Sequence, residues 1–577
     1  MHRRWLISRT NPEFIRHVSK TAGISSLLAR ILVNRGVKTP EAVNNFLYPS
    51  TVRLTDPFAL PGMHAAVGRI KSAIKQQEKV FIHGDYDADG LTATAIVVAA
   101  LRKAGLDPSY FVPHRMLHGY GFNKAAVDEA ARGGAGLIIT VDCGINSFDA
   151  VTHAKAAGID VVITDHHEPS RQRSANNIQA EGADKFILPG AAAVVNPKLS
   201  SAETAASNLS GAGIAFRLVQ ALAREGVLDE ADAMSLADLA ALGTVADVVP
   251  LTGDNRIIMK EGLRSINSAD RPGIKALREI CGPADREMKA GLLSFTVVPR
   301  INAAGRISDS RDVVRLLLTD SAVEAADLSL WLDRLNSERQ QIEEDVYQEA
   351  LSQFNGSEAG PAIVLCGEGW HEGVLGIVAS RIAEEFFKPT FVLSLQDGLA
   401  KGSARSVPSF DLCEGLACCS ESLLSFGGHK QAAGLRLEAG KVKTFEKMMG
   451  DAVLKNAGGA EFAQQVEIDA DIRIQDITFA VMKDLSLLEP YGFGNAEPVF
   501  GSKDLSITEQ RIVGRNHLKM KLREKMSSVD AIGFDMGNLS NRLNTDDTVD
   551  VAFTPSVNEW NGRKSIQLVL KAIRPSV

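Results

Sequence analysis

From about residue 60 to about residue 310, short apolar runs alternate with stretches whose apolar positions recur at helical spacing. The first run, residues 80–82, predicts a buried strand. Residues 136–144 (GLIITVDCG), 160–169 (DVVITDHHEP) and 191–197 (AAAVVNP) predict three more, with helical segments such as FDAVTHAKAAG between them. Strands and helices in this order assemble as a parallel sheet with right-handed crossovers. Asp87 and Asp89, Asp142, and the Asp165-His166-His167 trio then fall on one edge, at the carboxyl ends of their strands, where open α/β sheets bind ligands.

Elsewhere the periodicity changes. Residues 1 to about 50 read as a small helical lead-in, with SSLLARILVNRG at helical spacing and a Gly stop after Arg35. Residues 236–251 (LADLAALGTVADVVPL) predict a helix that stops near Gly243 and delivers Asp247. From residue 322 to about 354, Leu328, Trp331, Leu332, Leu335, Ile342 and Val346 follow helical spacing, and the other face is densely charged. A helix of that length spans roughly 45 Å and reads as a strut between two lobes. A second α/β lobe runs from PAIVLCGEGW to about residue 454.

Beyond about residue 465, short strands and turns predict a small β-barrel, with Trp560-Asn561-Gly562-Arg563 as a hairpin connection. In NHLKMKLREK, His517, Lys519, Lys521, Arg523 and Lys525 alternate with Leu518, Met520, Leu522 and Glu524, and Arg511 and Arg515 lie just upstream. Period two puts the cations on one face of the strand. Such a face suits single-stranded nucleic acid, although an ordinary solvated strand reads the same way. Tyr491, Phe493, Phe500, Phe553 and Trp560 are the candidate stacking rings.

Composition narrows the class. A chain of 577 residues predicts three or four domains, and 45% hydrophobic with 23% charged residues is ordinary for globular protein. Net charge is −7, so any nucleic-acid surface must be a local patch. The six cysteines form no C-x-x-C pair and no zinc spacing, which predicts reduced, mostly buried thiols in a cytoplasmic protein. MHRRW is followed by no apolar stretch, so no signal peptide is expected, and residues 91–101 are too few to span a bilayer. There is no Walker A sequence, and the glycine spacing of GEGWHEG does not fit a dinucleotide fingerprint.

The chemistry concentrates in HGDYDADG, where His83, Asp85, Asp87 and Asp89 occupy alternate positions. Three carboxylates this close repel unless a cation or protonation relieves them. DYDADG matches the start of a calcium loop, but Ile96 stands where the bidentate Glu belongs and a strand precedes it. A solvated acidic turn is the bland alternative. Asp247, flanked by Val245, Val248 and Val249, is expensive to bury without a partner, though helix capping would also account for it. Together His83, Asp85, Asp87, Asp89, Asp142, His166, His167 and Asp247 form an oxygen and imidazole set suited to Mn²⁺ or Mg²⁺, the histidines tilting toward Mn²⁺. So many ligands fit two ions about 3.5–4 Å apart that share a carboxylate, and the expected reaction is phosphoester hydrolysis by an activated water.

HGDYDADG, VDCG, TDHH and GTVADVVPL resemble the four motifs of the DHH phosphoesterase superfamily. INAAGR, WHEGVLGIVASR, GSARS and GGHKQAAG narrow the resemblance to the RecJ family of single-strand-specific exonucleases, from about residue 50 onward. The resemblance implies a parallel-sheet DHH domain over 51–315, a connecting long helix over 316–355 and an α/β DHH-associated domain over 356–460, the two domains facing each other across a cleft. An OB-fold nucleic-acid-binding domain would fill 461–577, and the helical lead-in 1–50.

The same resemblance implies that His83, Asp87 and Asp142 hold one ion, and Asp89, Asp142, His166 and Asp247 the second, with Asp142 as the bridge. Asp85 matches a motif residue beside the metals, His167 a contact to the scissile phosphate, and Asp165 a residue orienting the histidines. Arg115, Ser403 and Arg405 match residues that hold a terminal 5′-phosphate, while Arg306 and His429 match residues near the scissile group. Arg515, Lys519, Lys521 and Arg523 are the nucleic-acid-binding candidates of the barrel. The implied activity is metal-dependent 5′→3′ hydrolysis of single-stranded DNA to 5′-mononucleotides in recombination and repair. A cytoplasmic monomer, with single-strand-binding protein and a helicase as partners, is the expected setting. Two other readings compete: a phosphodiesterase acting on small phosphoesters, disfavoured by the barrel and its basic strand, and a non-catalytic replication scaffold, disfavoured because every ligand position is filled.

Overall fold

The computed structural model describes residues 4–115, 119, 121–171, 186–283, 286–354, 360–456, 464–560 and 562–576. His2, Arg3 and Asn561, the side chain of Trp560, and much of the segment after Arg115 lie outside the described residues. The chain divides into two compact units, one of Met1–Trp5 with Asp333–Val466, the other of Leu6–Leu332 with Glu467–Val577.

In the larger unit, four short strands form the expected parallel sheet: Val80–His83, Leu137–Val141, Asp160–Thr164 and Ala193–Val195. The first three are almost wholly buried, as strands covered by helices on both faces must be. A fifth strand, Ser109–Phe111, adds to the outer edge of Val80–His83. It is too short for periodicity to have marked it. The helix that follows the strand Val80–His83 spans Ala88–Lys103 and is buried on nearly every side.

The helix expected to stop near Gly243 instead runs through it, as Ala237–Ala246. Gly243 is a packing residue: a Cβ there would lie 2.4 Å from the Cβ of Ala212 and 2.6 Å from Oδ1 of Asp89. Asp247 is the residue that ends the helix.

The strut is a 31-residue helix, Ala322–Ser352, whose first third belongs to the larger unit and whose remainder belongs to the smaller. In the smaller unit, Ile363–Glu368 and Thr390–Gln396 pair in parallel, and Leu399–Arg405, Ala432–Glu438 and Ser425–Gly428 extend the sheet antiparallel. The helix Glu372–Phe386 packs on this sheet.

Residues beyond Glu467 build a closed barrel from Phe500–Val513, His517–Glu524, Ser527–Gly533, Arg563–Pro575 and Thr548–Trp560, the last strand pairing back to the first. The helices Pro12–Ala22, Ser26–Asn34 and Pro40–Leu47 share one hydrophobic core with this barrel. The lead-in is thus packing material, as expected, but for a domain more than 400 residues downstream: Asn34 Nδ2 donates to the carbonyl of Asp469, 435 positions away. Phe500 and Phe553 lie in that core with no exposure and are not available for base stacking. None of the six cysteines is in a disulfide, yet only Cys143 and Cys419 are buried and Cys418 is exposed, so the expectation of mostly buried thiols does not hold. Among the described residues, no helix is long and apolar enough to cross a membrane.

Candidate active site

The turn after Val80–His83 is shaped by carboxylates used as caps. Asp87 closes the N-terminus of Ala88–Lys103 by accepting from the amides of Asp89 and Gly90, both at 3.0 Å. Asp89, on the first turn of that helix, accepts from the amides of Gly211 and Ala212 at 2.7 and 2.9 Å. Those amides open the helix Gly211–Arg224, whose positive end favours a carboxylate. Asp142, just past the strand Leu137–Val141, sits at φ 61°, a left-handed conformation tolerated mainly by Gly, Asn and Asp. It packs so closely on Gly211 that a Cβ there would lie 2.5 Å from the Cβ of Asp142.

Three groups of ligand atoms result, each with its atoms within 4.8 Å of one another: Asp85, Asp87 and Asp142; Asp89, His166 and Asp247; and Asp142, His166 and His167. Asp142 and His166 each belong to two groups. The His166 ring lies between carboxylates, with Nε2 3.1 Å from Asp142 Oδ1 and Nδ1 3.6 Å from Asp247 Oδ2. His83 belongs to none of these groups among the described residues. Its ring is fully buried at the end of its strand, with Nδ1 3.5 Å from Cys143 Sγ. Asp85 stands with Asp87 and Asp142 where the resemblance implies His83.

The electrostatics show what the cluster requires. Asp85 Oδ1, Asp142 Oδ1 and Asp247 Oδ2 are buried and accept no hydrogen bond from the described residues, a costly state for a carboxylate oxygen. Burial, and then repulsion from the neighbouring aspartates, pushes Asp85 and Asp142 well above the usual carboxylate range. The same two causes push Asp89 up to about 7 and Asp247 to about 9. Asp247 also ends a helix, where a negative charge meets the negative pole. Bound divalent cations would remove all of these penalties together, and hard oxygen with imidazole donors is the set that Mn²⁺ and Mg²⁺ accept. The residues fit the ions.

Asp165 takes another role. Fully buried, it accepts from the amides of His166 and His167 at 2.7 and 3.0 Å, from the amide of Ile145 at 2.9 Å and from His167 Nδ1 at 2.7 Å. Burial pushes its carboxyl up, but the bonds from His167 and the amides outweigh that and leave it lowered. Burial pulls His167 down, and Asp165 more than restores it, so the imidazole is raised above its ordinary value. Asp165 thus anchors the His167 ring through Nδ1 and fixes its orientation.

The cationic wall includes Arg115, whose guanidinium lies 5.5 Å from the centre of the Tyr86 ring. Arg306 lies in the last turn of the helix Val298–Ile307, whose Asn302 Oδ1 accepts from the Ala88 amide at 2.8 Å. That helix approaches so closely that a Cβ on Gly305 would lie 2.2 Å from the Tyr86 carbonyl oxygen. Asn302, Gly305, Gly211 and Gly243 escaped the sequence reading of individual roles. The signal for the three glycines was the small residues of SGAG, ALGT and INAAGR, which mark close approach of backbones.

In the smaller unit, Ser403 and Arg405 alternate on the strand Leu399–Arg405 and so share a face. Both lie against Gly376 in the helix Glu372–Phe386: a Cβ there would sit 2.9 Å from Arg405 Nη2 and 3.3 Å from Ser403 Oγ. His429 is exposed on the turn into the neighbouring strand, its amide bonded to the Ala432 carbonyl at 2.7 Å, and Ala432 is the register partner of Arg405. All three therefore stand at one end of that sheet.

On the barrel, Leu518, Met520 and Leu522 are buried, while Lys519 and Lys521 are half-exposed and Arg523 exposed. Across the strands Lys519 faces Arg511, and Lys521 faces Glu509 and Asp530. The basic face is thus partly neutralised, with Lys521 Nζ 3.6 Å from Glu509. Arg515 lies in the exposed turn between Phe500–Val513 and His517–Glu524. Of the remaining candidate rings, Tyr491 donates to the Leu485 carbonyl at 2.6 Å and Phe493 is 60% exposed.

Comparison with known proteins places this geometry. Residues 79–244 match the N-terminal domain of the DHH family, 359–455 the DHHA1 domain and 468–572 the RecJ OB domain. The chain is 36% identical to the single-stranded-DNA-specific exonuclease RecJ of Bacillus subtilis over 98% of its own length and 70% of that protein's. It is 36% identical to the RecJ of Salmonella typhimurium over 96% of both chains, and 34% identical to that of Escherichia coli over 97% and 98%. Its fold matches the crystal structure of Thermus thermophilus RecJ in complex with Mn²⁺ at a TM-score of 0.84 and 32% identity, covering all of this chain and 80% of that one. The corresponding Mg²⁺ complex matches at 0.78 and 31%, covering 79% of that chain. With the DHH, DHHA1 and RecJ OB domains matched in order, and relatives above 30% identity matched over nearly their whole length, the chain belongs to the RecJ family of DHH-domain exonucleases.

Proposed function

We propose that this chain removes 5′-mononucleotides from single-stranded DNA in the 5′→3′ direction, in recombination and repair, with divalent ions held by the carboxylate and imidazole groups of its acidic sheet edge. The observation that carries the reading is the convergence of Asp85, Asp142 and Asp247, each with a buried carboxylate oxygen that accepts no hydrogen bond from the described residues. Asp89, Asp142, His166 and Asp247 would hold one ion. Asp87 and Asp142, with Asp85 or His83, would hold the other. Mn²⁺ or Mg²⁺ bound there polarises the phosphoryl oxygens and lowers the pKa of an attacking water.

The protein's own groups do the rest. Ser403 and Arg405 in the smaller unit match residues that bind a terminal 5′-phosphate, for which a forked guanidinium is well suited, and Arg115 in the larger unit matches another. His167, raised and anchored on Asp165, steadies charge on the scissile phosphoryl group through Nε2; Arg306 adds positive charge there, and His429 is a further phosphate contact of the smaller unit. The P–O3′ bond of the terminal nucleotide breaks, O3′ takes up a proton, and the shortened strand carries a new 5′-phosphate for the same residues to hold. Arg515, Lys519, Lys521 and Arg523 grip the strand further along. The protein acts as a cytoplasmic monomer beside single-strand-binding protein and a helicase, a setting supported by the family alone.

Digestion of labelled oligonucleotides tests the reading. A 5′-labelled single strand should lose its label as mononucleotide at once with Mn²⁺ and not after chelation, whereas a 3′-labelled strand should shorten stepwise and a duplex should resist. Loss of the 3′ label first, or cleavage indifferent to metal, would overturn it.

A further inference from the structure

Between Ala290–Leu292 and Val298–Ile307 the helix carries a single π turn, Leu293–Val297. Such turns are rare and frequently occur at functional sites. Phe295 stands on it, 84% exposed, the most exposed phenylalanine among the described residues. One exposed ring is unremarkable on a protein surface, so its position must decide. In the helix that follows, Ile301, Ala303, Ala304 and Gly305 are buried, while Pro299, Asn302 and Arg306 are partly exposed. Phe295, Pro299, Asn302 and Arg306 are separated by four, three and four positions, which aligns them on one helix face. The π turn rotates Phe295 by only a fraction of a turn from that line.

The face leads to the carboxylate centre. Asn302 bonds the Ala88 amide, one residue beyond Asp87, and Phe295 lies about 10 Å along the axis from Asn302 at 1.5 Å per residue. In the other direction Gly291, four positions before Phe295, lines an open groove of about 800 Å³ that carries Lys260, Arg264 and Lys289. Acidic groups moderate the groove, Glu489 pairing with Lys289 at 2.9 Å. Burial, with Arg256 and Arg264 nearby, pulls the Lys260 ammonium down. The exposed ring therefore sits between a phosphate-processing centre and a cation-bearing groove.

We propose that Phe295 is a stacking platform for one base of the single strand, a positioning residue that holds the strand while its 5′ end lies in the carboxylate centre. Every base has a π face, so a ring grips any sequence equally, as an enzyme that consumes whole strands requires. The proposal rests on the single-strand exonuclease reading above.

The test combines a substitution with substrates missing one base. Phe295→Ala should raise KM for an intact oligonucleotide about 5- to 150-fold, the range of one lost stacking contact, with kcat little changed. Phe295→Trp should restore it. An abasic site is then walked from the 5′ end, one position at a time. At one position the wild-type protein should lose as much as Phe295→Ala does, and the variant should lose nothing more. An unchanged KM in Phe295→Ala, an equal further loss at every abasic position, or weakened Mn²⁺ uptake without DNA would overturn the proposal. Failure of the wild-type protein to digest the intact strand would instead overturn the exonuclease reading.

Discussion

The carboxylate centre and the basic strand of the barrel are opposite solutions to holding charge. In the first, aspartates are buried against one another, and burial with mutual repulsion drives Asp89 and Asp247 to about 7 and 9. In the second, Lys519, Lys521 and Arg523 remain at the surface, and Glu509 and Asp530 face Lys521 across the strands. Buried like charges destabilise a fold unless something neutralises them, so their survival points to an ion. Exposed charges are stabilised by water and cost little, so their presence alone points to nothing. The contrast predicts large, metal-linked effects at the centre and modest, salt-linked effects on the barrel.

The largest effect should come from Asp142→Asn. Asn tolerates the left-handed backbone at this position and keeps the volume, so the metal-free fold should survive with an unfolding midpoint no lower than that of the parent. Removing a supporting residue around a bound metal typically costs about 10–100-fold, and a shared ligand should cost more. Hydrolysis with saturating Mn²⁺ should therefore fall by more than about a hundredfold. Near-normal turnover in a folded variant would remove Asp142 from its bridging role.

Next in size is the pH dependence of the metal-free protein. Asp247 titrates near 9 in the fold, against an ordinary value of 3.8. Between those values the native carboxyl keeps a proton that the unfolded chain releases, so the unfolded state binds fewer protons and stability falls as pH rises. Asp89, at about 7, adds the same sign over a narrower window. The thermal midpoint measured in chelator should drop from pH 6 to pH 9, Mn²⁺ should reverse the drop, and Asp247→Asn should flatten it. A midpoint that climbs with pH in chelator would mean that these carboxylates are not crowded as described.

The two regions also differ in how far they could be read from sequence. The centre was legible because apolar runs end abruptly in ligand-type residues, and parallel strands deliver such ends to one edge. Its second layer was not. The positive φ of Asp142 and the amides of Gly211 and Ala212 on Asp89 depend on which helix approaches which turn, and Gly243 reads as a helix stop until Asp89 and Ala212 are seen to press on it. On the barrel, alternation correctly gave the outward cations. It could not show that Phe500 and Phe553 point inward, nor that the first helices complete the same core, because that packing joins residues hundreds of positions apart.

The smallest predicted effect sharpens the weaker side of the comparison. If Lys519 and Lys521 each neutralise a phosphate of the bound strand, each releases counterions, and the slope of log K against log salt carries about 0.7 per contact for a single strand. Lys519→Gln with Lys521→Gln should then reduce that slope by about 1.4, with binding at low salt weakened most. Both side chains are half-exposed, so stability should move by no more than about 0.5 kcal/mol. Glu509 and Asp530 make the outcome informative, because a lysine already paired with them would leave its counterions unchanged when DNA arrives. A slope that falls by only half would assign the contact to Lys519, which faces Arg511 and no acid among its register partners. An unchanged slope would leave this strand a solvated face, with the grip on DNA carried elsewhere.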